Sequence, residues 1–116
     1  MTNSGGAVTR GYALTVRFTT RDADAAQQFD DLVARTLEGI RTEPGTLVYV
    51  SHTPVDEPLV RVFYELYADE AAFQAHEEQP HTRQMLKERE QYLTNVEVTF
   101  MHETAGKRPS SGPEAT

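Results

Sequence analysis

The chain has 116 residues, enough for one domain with a modest core and too few for two. Eighteen acidic against eleven basic side chains give a net charge of −7, and no stretch clusters Lys and Arg, which argues against nucleic acid or an anionic membrane as a partner. Because cysteine is absent, disulfides, thiolate nucleophiles and Cys-held zinc or iron–sulfur centres are all excluded.

The first ten residues are small and polar with a Gly5-Gly6 pair, so residues 1–10 are expected to form a flexible arm. They show neither the basic nor the apolar region of a signal peptide, and no apolar run approaches a membrane span. The expectation is a cytoplasmic protein. From Tyr12 to Thr19 the residues alternate, with Tyr12, Leu14, Val16 and Phe18 on one face of a half-buried strand. Thr20 or Asp22 can cap the helix that follows. Its apolar stripe is Phe29, Leu32, Val33, Thr36, Leu37 and Ile40. Pro44 and Gly45 end it, so the last helical residue should fall near Arg41 or Thr42.

Thr46 to Thr53 and Val60 to Tyr67 read as two strands joined by a loop marked by Pro54, Asp56 and Pro58. A loop centred between Asp56 and Glu57 would put Val48, Val50 and His52 on one face with Arg61, Phe63, Glu65 and Tyr67. Asp69 is placed to cap a short helix, and Glu70 suits its positive end. Pro80 interrupts that helix and fits best as the first residue of another, running from about His81 to Tyr92. A last strand, Asn95 to Glu103, alternates Val96, Val98, Phe100 and His102 against Glu97, Thr99, Met101 and Glu103. Residues 105–116 are rich in Gly, Pro and Ser and should be disordered.

This order, with the domain at residues 11–104, is the α+β, ferredoxin-like βαββαβ arrangement: an antiparallel sheet with its helices on one face. An apolar face left bare on the other side needs a partner sheet, and a second copy is the simplest one. A homodimer is therefore expected.

Glu43-Pro44-Gly45-Thr46-Leu47-Val48-Tyr49 resembles the E-x-G-x-x-x-Y segment of the antibiotic biosynthesis monooxygenase superfamily. Phe63-Tyr64-Glu65-Leu66-Tyr67, then Ala71-Ala72-Phe73-Gln74-Ala75-His76 and Pro80-His81, resembles its E-x-W…A-x-x-x-H…P-x block. The resemblance spans Tyr12 to Glu103 and implies a dimeric α+β barrel. It also implies a cofactor-independent monooxygenase that oxidises an aromatic, anthrone- or quinol-like small molecule with O₂. Polyketide-oxidising members usually carry Trp at the position of Tyr67, Asn at that of Phe63 and Tyr at that of Phe73. Haem-degrading members also rely on that Trp, with a His corresponding to His76 and an Asn on the first strand that this chain lacks. The alternatives are a non-catalytic dimeric binding module of the same fold and a haem-binding protein using His76.

On this reading His76 is the candidate base, because an imidazole titrates near physiological pH. Tyr67 is the candidate donor to a developing oxyanion. Phe63 and Phe73 are candidate walls for a flat ligand, and Glu65, His52 and His81 complete the candidate substrate-binding set. A buried Glu65 needs a partner, for which Arg61 and His52 are the candidates. Without a cation its pKa would rise and favour a catalytic role. The four histidines match no metal-ligand spacing, and no phosphate loop, dinucleotide fingerprint or Gly-x-Ser-x-Gly turn is present. No metal or cofactor is expected.

Overall fold

The structure, a computed structural model, describes residues 10–108. The expected arm therefore lies outside the described residues except for Arg10. The same holds for the expected tail from residue 109, while residues 105–108 carry no helix or strand.

Alternation in the first strand and a capped amphipathic helix set the framework. Strand β1 (Tyr12–Thr20) sends Leu14, Val16 and Phe18 into the core, each less than 5% exposed. Asp22 caps α1 (Ala23–Ile40) by accepting from the Ala25 amide at 2.8 Å. Thr20, the other candidate cap, is buried and instead donates to the Leu59 carbonyl. The predicted stripe of α1 is its buried face, led by Phe29, Leu32 and Val33. Strands β2 (Thr46–His52) and β3 (Val60–Tyr67) follow, then α2 (Glu70–Glu77) with Asp69 as its cap. Pro80 opens α3 (Pro80–Glu88), which tightens into a 3₁₀ turn at Arg89–Gln91 before β4 (Leu93–His102). The last helix is thus shorter than the sequence suggests, and β4 begins two residues earlier.

The four strands form one antiparallel sheet in the order β2-β3-β1-β4. This is the ferredoxin-like α+β fold. The inner face carries Leu14, Val16, Phe18, Phe63 and Tyr67, which pack with Phe29, Leu32, Val33 and Met85 from the helices.

One register differs from expectation. Tyr49 pairs with Glu65 and Ser51 with Phe63, so it is Tyr49 that shares the inner face, while Val48, Val50 and His52 turn outward with Val62, Tyr64 and Leu66. The loop is centred on Glu57 itself, closed by two successive turns from Pro54 to Glu57 and from Glu57 to Val60. That half-residue displacement of the loop centre changes the pairing by one residue and reverses every side chain of β2. A bulge between Thr46 and Val48 then returns Thr46 to the inner side, opposite Tyr67.

Candidate functional site

The site begins with the loop that ends α1. Gly45 lets this loop pass against α2, since a Cβ there would sit 2.6 Å from that of Ala72. The loop directs Glu43 inward until its side chain is only 8% exposed. Burial on its own pushes the Glu43 carboxyl up, but hydrogen bonds from Thr46, His81 and His76 outweigh it and hold the pKa below the usual carboxylate value. Thr46 Oγ1 donates to Glu43 Oε1 at 2.6 Å, and His76 Nδ1 meets the same oxygen at 2.8 Å. His81 Nε2 bonds the other oxygen, Oε2. The His81 ring reaches this position across α1 at Gly39, where any Cβ would collide with the imidazole.

An ionised Glu43 can only accept, so both histidine nitrogens facing it carry protons. His76, 4% exposed, is then fixed with Nδ1 protonated. Its Nε2 has no protein hydrogen-bond partner among the described residues and is left to accept a proton. The ring sits among aromatic neighbours, with centroids 5.1 Å from Tyr67, 5.7 Å from Tyr49 and 6.4 Å from Phe73.

Beside His76 lies a cavity of about 130 Å³, closed by the sheet on one side and by α2, α3 and the 3₁₀ turn on the other. Leu14, Tyr49, Phe73, Met85 and Phe100 supply apolar wall, and His76, Glu65, Thr82 and Arg89 supply polar atoms. Phe100, 54% exposed, stands at its open side with Val98.

Glu65 is the most displaced acid of the cavity. It is 6% exposed, and neither expected partner reaches it. Arg61 instead makes a two-pronged pair with Asp30 at 2.8 and 3.0 Å, and His52 contacts the Val62 carbonyl. Tyr67 donates to Glu65 Oε1 at 2.6 Å. Desolvation, only partly offset by that bond, raises the Glu65 pKa to about 7. No cation bonds Glu65, but the Arg89 guanidinium in the same cavity opposes part of the rise.

Three other candidates take different places from those expected. Tyr67 is fully buried and its hydroxyl is engaged by Glu65, so it does not line the cavity. Burial, with Glu65 beside it, drives its pKa far above the usual phenol value. Phe63 is plain core, packed edge-on against Phe18 and Tyr49 rather than forming cavity wall. His52 is exposed on the outer side of β2, away from the site, as the reversed register requires. Phe73 does form wall, and His81 acts through Glu43.

Glu43, Tyr49, Thr82 and Arg89 enter the site without having been singled out. Glu43 and Tyr49 both belong to the quoted E-x-G-x-x-x-Y segment, which was the available signal. Tyr49 points its hydroxyl at Met85 Sδ, 3.7 Å away, a weak acceptor that a ligand oxygen would replace readily. Burial keeps the Tyr49 phenol protonated by pushing its pKa well up. Arg89, the first residue of the 3₁₀ turn, follows Met85 by four residues and lines the same cavity, a charged residue continuing an apolar stripe.

A larger hollow of about 770 Å³ lies on the opposite face of the sheet, between Ala13, Val48, Tyr64, Leu66 and residues 104–108. Its charged groups are Glu103, Lys107 and Arg108 from the end of the described chain, and Arg108 is tied to Glu103 at 2.6 Å. The smaller, helix-covered cavity is the one that holds His76, Glu65 and Phe73. Among the described residues no helix is long and apolar enough to cross a membrane.

A ferredoxin-like domain with a polar and aromatic cavity between sheet and helices defines a class of small α+β proteins that host many chemistries. This chain belongs to the antibiotic biosynthesis monooxygenase family, whose model matches residues 12–88. Similar solved structures include Rv0793 from Mycobacterium tuberculosis, 25% identical over 87% of this chain and 99% of that one, with a TM-score of 0.73. PA3566 from Pseudomonas aeruginosa is 21% identical over 86% and 100%, with a TM-score of 0.76. A structure named antibiotic biosynthesis monooxygenase is 20% identical over 81% and 99%, with a TM-score of 0.73. No curated protein matches the sequence significantly.

Proposed function

We propose that this protein is a cofactor-independent monooxygenase that oxidises a quinol-like aromatic small molecule with O₂. The observation that carries the reading is His76: its imidazole opens onto an aromatic-lined cavity and is oriented by an ionised, buried carboxylate. A base held in one tautomer by a third group is the arrangement that proton abstraction needs.

The cavity size narrows the substrate. A cavity of about 150 Å³ accepts benzene, so about 130 Å³, open past Val98 and Phe100, is on the scale of a single ring whose substituents reach the opening. In the proposed reaction His76 Nε2 takes a phenolic proton, and Tyr49 donates to the ring oxygen on which charge develops. The electron-rich ring reduces O₂, and the two recombine at a ring carbon as a hydroperoxide. Loss of water then leaves a hydroxyquinone. Quinol plus O₂ gives hydroxyquinone plus water, so the substrate supplies all four electrons. Glu65, titrating near 7, can return a proton to the departing oxygen.

Oxygen uptake with hydroquinone tests this. Wild type should exceed the buffer rate, and His76→Ala should lose about 10²- to 10⁴-fold, the range of a general base. No uptake above buffer by wild type would favour the non-catalytic binding module.

The fold also supports a homodimer. The sheet face without helices exposes Leu47 and Val50 at 46% and 45%, beside the hollow along Ala13 and Leu66. A second sheet is the simplest cover for such a face. Light scattering should return twice the 13.0 kDa chain mass, and a single-chain mass would remove the dimer.

A further inference from the structure

We infer that Arg89 is the anion-recognising group of the cavity, and that the ligand is a monocyclic aromatic carrying a carboxylate. This rests on the cavity being the substrate site, as proposed above.

Arg89 stands where α3 passes into the 3₁₀ turn, with its guanidinium carbon 5.4 Å from the centroid of the Phe18 ring. Its Nε is buried and has no hydrogen-bond partner. Five other arginines of the described chain are engaged: Arg17, Arg35, Arg61 and Arg108 pair with carboxylates, and Arg21 donates to the Gln91 carbonyl, while Arg10, Arg41 and Arg83 are exposed to water. Arg89 has no such bond among the described residues. Of the nearby acids, Glu77 also lines the cavity but makes no bond to Arg89, and two others are committed elsewhere. Glu88 accepts from Arg35, and Glu65 accepts from Tyr67.

A buried guanidinium atom without an acceptor is a recurrent cost to the fold, and most such groups in proteins are satisfied. Arg89 lines the cavity, so an acceptor arriving there would satisfy it. The guanidinium is a flat, permanently charged fork that matches a carboxylate with two parallel bonds. The Phe18 ring beside it shields the guanidinium from water on that side, which strengthens the pairing. A ligand ring would lie among Tyr49, Phe73 and Phe100, with its carboxylate on Arg89 and a phenolic oxygen free to face His76. Arg89 is thus a specificity-determining residue, and removing it should affect acid ligands and spare neutral ones.

The test is calorimetric titration under argon of 2,5-dihydroxybenzoate and of 2,5-dihydroxybenzamide, which differ only in the anion. Wild type should bind the acid at least tenfold more tightly than the amide. Arg89→Met should bring the two within about twofold of each other by weakening the acid alone, and Arg89→Lys should retain part of the preference. Equal affinity of wild type for both compounds would overturn the assignment while leaving the cavity as the substrate site. So would an undiminished acid preference in Arg89→Met. Failure of wild type to bind either compound would overturn the cavity reading together with the Arg89 assignment. If circular dichroism shows Arg89→Met unfolded, the acid-to-amide ratio of wild type and its reduction in Arg89→Lys decide the question.

Discussion

The inner layer has two ends with opposite character. At one end Phe18, Phe29 and Phe63 pack with centroids 4.9 to 6.0 Å apart, alongside Leu32 and Val33, and no carboxylate or histidine packs among their rings. At the other end Glu43, Glu65, Tyr67, His76 and His81 are wholly or largely buried, and the acids are held by hydrogen bonds rather than by arginine or lysine. Burying such groups costs stability even when they are bonded. A chain selected only to fold would fill that end with leucine. The aromatic end stabilises the domain, while Glu65 at the polar end is held at a cost in stability, which supports the proposed site.

The sharpest way to break this division is to attack the aromatic end. Phe29 is fully buried between Phe18 and Phe63, so Phe29→Ala should cost about 3 to 5 kcal/mol in urea unfolding. That is a large share of the roughly 5 to 15 kcal/mol of a typical domain. A loss below 1 kcal/mol would mean that this end is not the stabilising core.

At the polar end a substitution should do the reverse at neutral pH. The folded Glu65 pKa, about 7, lies above its unfolded value near 4.5. Below 4.5 the carboxyl is protonated in both states and no penalty arises. As pH rises towards 7 the unfolded chain releases the proton first, and stability falls by about 3 kcal/mol. Glu65→Gln still accepts from Tyr67 but cannot ionise. It should therefore match wild type near pH 4.5 and exceed it increasingly up to pH 8, measured by urea midpoints at each pH. A constant difference across that range would show that Glu65 is not desolvated.

The two ends also differ in how far the sequence reveals them. The aromatic end follows from periodicity: alternation in Tyr12–Thr19 and the three–four stripe of α1 place Phe18, Phe29 and Leu32 with no further information. The βαββαβ order and the cap at Asp69 are legible for the same reason, since each is a local signal. The polar end depends on contacts between residues far apart in the chain. Glu43 meets His76 and His81 across 33 and 38 positions, and no local pattern encodes that meeting. Tyr49 was misplaced by one residue of register, which depends on how the Pro54–Val60 loop closes. His76 was found because the family motif marks it. Arg89 was missed because one charge on an amphipathic helix ordinarily reads as solvated.

The Glu43 network offers a finer test of the same division. Glu43→Gln replaces one acceptor oxygen by an amide that faces donors, so it should cost about 2 to 3 kcal/mol at pH 7. Because the folded Glu43 pKa is depressed, its stabilisation is full above the unfolded carboxylate value and is lost as pH falls through the folded one. The difference from wild type should shrink on acidification, opposite in direction to Glu65. With hydroquinone, kcat should drop about tenfold or more while KM stays near wild type, since His76 loses its orientation but the cavity walls remain. A KM change without a kcat change would make Glu43 part of the binding surface instead.

The smallest expected effect decides what Tyr67 does. Its hydroxyl bonds Glu65 and is closed off from the cavity. Tyr67→Phe should thus cost only about 1 kcal/mol at pH 5, where the bond joins two neutral groups. Loss of a donor to the carboxylate favours its protonated form, so the Glu65 titration followed by carbon-13 NMR should move above about 7. Bound hydroquinone should be little affected, because its oxygen is met by Tyr49. If the Glu65 midpoint stays in place while hydroquinone affinity or turnover falls tenfold, the hydroxyl is free to reach the ligand. The oxyanion role inferred from the sequence would then belong to Tyr67 after all.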